Sequence, residues 1–138
     1  MARYRIFPDN LTSKKSELLD AQPLNYVKYL IGFACAKNEG FNVVTTQMRF
    51  LKTEPWQIIS SNIPSSGGQV VLELGYFNPG QTLSVFWVVR AVTKIASLSV
   101  YIINDQTKVV RKIAPSGAPK KMERGEDWGD EKIDIILF

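Results

Sequence analysis

Residues 82–92 alternate strictly, with Leu83, Val85, Trp87, Val89 and Ala91 on one side and Thr82, Ser84, Phe86, Val88, Arg90 and Val92 on the other. A period of two marks a strand with one buried face; a helix would scatter the same residues around its circumference. Asn78-Pro79-Gly80-Gln81 stands just before this run. Proline presets the backbone of a turn's first corner and glycine accepts the positive φ of its second. A tight turn followed by a strand that buries Trp87 is therefore expected.

The same period recurs along the chain. In residues 69–77, Val70, Leu72, Leu74 and Tyr76 oppose Val71, Glu73, Gly75 and Phe77. A hairpin with 82–92 is the simplest pairing. Residues 98–103 are β-branched and aromatic, stop at Asn104-Asp105, and the pattern resumes over 108–113. Residues 133–138 form a last strand, which must be tied into a sheet because a loose apolar end invites aggregation.

Residues 26–36 fit either a buried helix or a strand that aligns Val27, Tyr29, Ile31, Phe33 and Cys35. Asn38-Glu39-Gly40 and the Val/Thr/Phe-rich run 41–51 favour a strand and a hairpin between the two runs. Residues 2–7 add another strand, and 14–21, stopped by Pro23, are the one short helix expected. Residues 60–68 and 114–125 are rich in turn formers. About eight strands at this spacing predict a mainly β, single-domain antiparallel β-sandwich, immunoglobulin-like or jelly-roll-like. The strand at 82–92 and the run at 97–102 resemble an adjacent strand pair of an immunoglobulin-like sandwich, a look shared by many β domains. The domain is expected to span residues 1–138.

At 138 residues and 45% apolar content, the chain can bury one core without metal or disulfide staples. No run approaches the ~18 to 20 apolar residues of a membrane-spanning helix. Residues 1–8 begin basic but lack the apolar stretch of a signal peptide, so they are read as mature sequence. Cys35 is the one cysteine, which excludes an internal disulfide and favours a cytoplasmic location or an assembled particle. Its apolar surroundings point to an inert, buried thiol.

The chain has no histidine, which removes the commonest general base and a principal metal ligand together. The usual serine and cysteine triads and a catalytic zinc site are excluded with it. Ser65-Ser66-Gly67-Gly68 lacks the spacing and the lysine of a phosphate loop. Residues 126–131 carry acids but not the order of an EF-hand. No enzyme, cofactor or metal is expected.

What remains is charge and tryptophan. The net charge is +4, but residues 108–124 hold six Lys or Arg against one acid, and 126–134 hold five acids against one Lys. The basic stretch has no interleaved aromatic of the kind that stacks on single-stranded nucleic acid, so nucleic acid or an anionic membrane is a weaker fit than protein. Trp87 belongs to the core; Trp56, after Glu54-Pro55, and Trp128, within the acidic run, are candidates for exposure.

These features predict a non-enzymatic assembly or docking module that binds copies of itself or a larger protein complex. Trp56, Lys120, Lys121, Arg124 and Trp128 are its candidate contact residues. Two alternatives are a carbohydrate-binding module using Trp56, Tyr76 and Trp128, and a small membrane-active β-sandwich toxin with aromatics and lysines on one rim.

Overall fold

The computed structural model describes residues 26–50 and 53–138, leaving aside the side chains of 130 and 131. The expected strand at 2–7 and helix at 14–21 lie outside these residues. Among the described residues nine strands are formed: β1 (Val27–Ala34), β2 (Phe41–Arg49), β3 (Gln57–Pro64), β4 (Gln69–Phe77), β5 (Thr82–Ala91), β6 (Ile95–Asn104), β7 (Val109–Ala114), β8 (Lys120–Met122) and β9 (Asp127–Ile136). They make two antiparallel sheets, one of order β4-β1-β6-β7 with β8 also on β6, the other of order β3-β2-β5-β9. The chain is a mainly β sandwich.

The β5 alternation is realised as expected. Leu83, Val85, Trp87, Val89 and Ala91 are all buried, with Trp87 fully so. Phe33 meets the Trp87 ring edge-on from the opposite sheet at 6.1 Å. The preceding turn also forms: Gln81 N–H donates to the Asn78 carbonyl at 3.2 Å, and Gly80 takes a φ of 93° that a side chain would disfavour.

Two expected hairpins are corrected. β1 and β2 lie in different sheets, and so do β4 and β5. Residues 35–40 and 78–81 carry the chain across the core rather than back alongside its own strand. The physical reason is that alternation shows only that each strand has a buried face. A neighbour in the same sheet and a neighbour across the core satisfy that pattern equally. The crossing at Gly40 is held by its carbonyl, which accepts from Val92 N–H at 2.9 Å, and by Ser65 Oγ, which accepts from Phe41 N–H at 3.0 Å. For the same reason β5 and β6 are not sheet neighbours, although both flank the core.

The acidic run is not a loop. β9 begins at Asp127, pairs along β5, and continues into Leu137, whose N–H donates to Gln81 O at 2.8 Å. A bulge opposite Trp87 and Val88 shifts the register, so Trp128 points inward before it and Ile133 and Ile135 after it. The tail is tied as expected: Tyr29 Oη–H and Asn104 Nδ2–H both donate to the Phe138 carbonyl, at 2.9 and 2.7 Å.

Candidate docking surface

The outer edge of β6 is shared. β7 pairs with Val100 to Asn104, and β8 with Ile95 to Leu98, so together they run its length. This edge carries most of the basic stretch. Arg111 and Lys112 lie exposed on β7, Lys120 half-buried and Lys121 exposed on β8, and Arg124 exposed in the turn that follows. That turn is built locally: Glu126 N–H donates to Glu123 O at 3.0 Å and Glu123 N–H to Glu126 Oε1 at 2.8 Å.

Among the described residues, the outermost strand of the opposite sheet on the same side of the sandwich is β9, which carries most of the acidic stretch. The Arg111 guanidinium of β7 reaches across to this sheet and sits 4.3 Å over the Phe138 ring. The far side of the sandwich is formed by β3 and β4, which touch each other. Among the described residues, one lateral side therefore pairs the Lys- and Arg-bearing strands β7 and β8 of one sheet with the strand of the other sheet whose sequence is richest in Asp and Glu.

Several charges on this side have partners of their own. Arg90 grips Asp127 with two bonds of 2.7 and 3.0 Å, and this holds the Asp127 carboxyl below the usual carboxylate range. Lys94 lies 4.0 Å from Glu123 with both side chains exposed, a pairing of little energetic weight. Lys108 meets Asp105 at 2.8 Å at the start of β7. The Lys112 ammonium donates to the Gly117 carbonyl.

Of the five residues singled out from the sequence, Lys120, Lys121 and Arg124 gather at one end of the lateral side. Trp128 does not join them as an exposed group: it is 8% exposed and stands edge-on to Trp87. Its indole belongs to the core, since β9 is a strand and residue 128 faces inward. Trp56 lies on the outer face of the β3-β2-β5-β9 sheet, half-buried, with the Arg49 guanidinium 4.3 Å over its ring and Phe86 at 5.9 Å. Tyr76, on β4, is 58% exposed on the other sheet. Trp56, Tyr76 and Trp128 thus occupy three separate surroundings. Tyr76 and Lys120 lie at opposite ends of their sheet, because Tyr76 pairs near the start of β1 and Lys120 near the start of β6.

Sequence reasoning missed an apolar outer face on the five-stranded sheet. Ile31, Phe33, Val100 and Ile102 point inward and are buried, so Leu30, Tyr101 and Ile103 point outward, beside Val71 on β4 and Val110 on β7. The signal was present in runs apolar at consecutive positions, Val70-Val71-Leu72 and Tyr101-Ile102-Ile103. Such runs mean a strand with two apolar faces.

Cys35 is half-buried, and desolvation, helped by the nearby Glu39 charge, pushes its thiol up to about 11. Among the described residues no group of three or more His, Cys, Asp or Glu side chains could hold a metal ion. No protein-family model, no characterised protein and no solved structure matches this chain.

Proposed function

We propose that this domain is a non-catalytic assembly module that docks to protein through the lateral side formed by β7, β8 and β9. The observation that supports the reading is that, among the described residues, the Lys- and Arg-bearing β7 and β8 and the Asp- and Glu-rich β9 are the outermost strands of the two sheets on that side. Edge strands present unpaired backbone groups, and charged side chains along them reject some neighbours while admitting a complementary one. Lys120, Lys121 and Arg124 are the basic contacts of this surface, and the start of β9 supplies the acidic ones. Trp56 and Trp128 are not part of it.

Carbodiimide coupling joins lysine amines directly to carboxylates and so reports contacts of salt-bridge length. Applied to the protein in a native extract, it should yield linked peptides that join residues 120–127 to another polypeptide chain. If linkages from this segment fall only within one chain, the docking reading is wrong.

A further inference from the structure

Val71, Tyr76 and Val110 are 51, 58 and 53% exposed, and all three stand on the outer face of the β4-β1-β6-β7 sheet. Cross-strand register assembles two rows on this face. One reads Val71, Gly32, Tyr101, Lys112 and the next Glu73, Leu30, Ile103, Val110, each in the order β4, β1, β6, β7. Paired residues share a face, and the burial of Ile31 and Ile102 between the rows sends these residues outward. The middle of the face is therefore apolar. The charges within the two rows are an acid on β4 and a base at the opposite margin, on β7.

Two copies laid face on face have two limiting two-fold arrangements, and both keep the strands aligned as packed sheets require. With the axis across the strands, β4 lies over β4 and β7 over β7. Glu73 then stands one row, about 7 Å, from Glu73 of the second copy, and Lys112 likewise from the second Lys112, so like charges meet at both margins. With the axis along the strands, β4 lies over β7 and β1 over β6. Leu30 covers Ile103 of the second copy, Gly32 lies opposite Tyr101, and Glu73 comes within one row of Lys112, each contact made twice.

We infer that this face binds a second copy of the chain, sheet on sheet, about a two-fold axis along the strands. It is a different surface from the lateral side, and the inference does not rest on that reading. Asp105 and Lys108 already pair with each other at the rim, so Glu73 and Lys112 set the orientation. The Lys112 ammonium donates to the Gly117 carbonyl, a neutral partner that leaves its charge in place. Four strands about 4.8 Å apart make the face roughly 19 Å wide, and Lys28 to Ala34 runs about 23 Å. The flat area is on the order of 400 Å², and side chains standing up from it bring the accessible surface nearer the roughly 800 Å² per partner of a standard interface. The dimer is therefore reversible, and because apolar burial drives it, moderate salt does not dissolve it.

The test is light scattering on the full chain across a concentration series at moderate salt. The wild-type mass should rise from 15.6 kDa toward twice that value. Ile103→Lys puts an ammonium in the apolar centre and should hold the mass at that of one chain, with the circular dichroism spectrum unchanged because residue 103 faces outward. Glu73→Lys and Lys112→Glu, both at exposed positions, should each move dimerisation to roughly tenfold higher concentration. An equal mixture of the two should restore the wild-type curve. A wild type that keeps the single-chain mass at every concentration overturns the inference, whether residues 1–25 or another polypeptide occupy the face. So does a dimer that persists in folded Ile103→Lys, or a Glu73→Lys variant that dimerises like wild type. Should Ile103→Lys lose the wild-type spectrum, the exchange of Glu73 and Lys112 decides alone.

Discussion

Trp128 stands edge-on to Trp87, ring centroids 5.6 Å apart and planes at 76°, so the tryptophan of the most acidic run in the chain is part of the hydrophobic core. This contact fastens β9 to β5 from within, while Asp127 at the start of the strand stays exposed. Replacing Trp128 with alanine should lower stability to urea by about 3 to 5 kcal/mol, the usual range for emptying a buried tryptophan site. A loss below about 1 kcal/mol would mean that the indole is not packed there.

Gly129 follows at the bulge. A Cβ at this position would stand 2.8 Å from the Trp87 carbonyl oxygen and 2.8 Å from Val88 Cγ2, which is closer than real Cβ contacts. Gly129→Ala should therefore push β9 off β5 and cost about 1 to 3 kcal/mol in chemical unfolding. Gly32→Ala is the control, because its Cβ would meet Ile103 Cδ1 at an ordinary 3.7 Å. That variant should unfold at the same denaturant concentration as wild type or slightly above it. Equal losses at both positions would contradict the close approach of β5 to β9.

The Arg90–Asp127 pair predicts a pH effect of defined sign. The Arg90 hydrogen bonds, then its charge, lower the Asp127 carboxyl. A carboxylate depressed in the folded state stabilises above its unfolded titration range, near about pH 4, and that contribution is lost as pH falls through the lower folded value. Carbon-detected NMR titration should find Asp127 ionising below the ordinary aspartate range, and Arg90→Ala should move it upward. A midpoint unmoved by Arg90→Ala would show that the pair is not formed in solution.

Cys35 should be a slow nucleophile in the folded protein. With its thiol held up to about 11, little thiolate exists near neutrality. Alkylation by iodoacetamide at about pH 8 should run roughly a hundredfold slower than in the urea-unfolded chain, whose thiol is unshifted. Comparable rates in the two states would show that the thiol is neither desolvated nor burdened by Glu39.

The fold class was legible because period-two alternation survives wherever a strand has a single buried face, as in Leu83 to Ala91. Strand partnership was not, since Val27 to Phe33 and Phe41 to Met48 are buried equally well beside each other or across a core. The two runs belong to separate sheets. The length of β9 was hidden by its bulge. Trp128 and Ile133 face the same way although five residues apart, and strict alternation loses phase between them. The basic residues Lys120, Lys121 and Arg124 were legible as a surface cluster from charge alone. That they share a lateral side with the acids depends on β8 and β9 being, among the described residues, outermost on the same side of opposite sheets, which no local pattern encodes.

The proposed docking of this domain to protein through the lateral side of β7, β8 and β9 is tested most directly by carbodiimide coupling across a salt series. The account predicts linkages between residues 120–127 and another polypeptide at low salt that fade as salt is raised. Linkages from this segment that stay within one chain at every salt would contradict it.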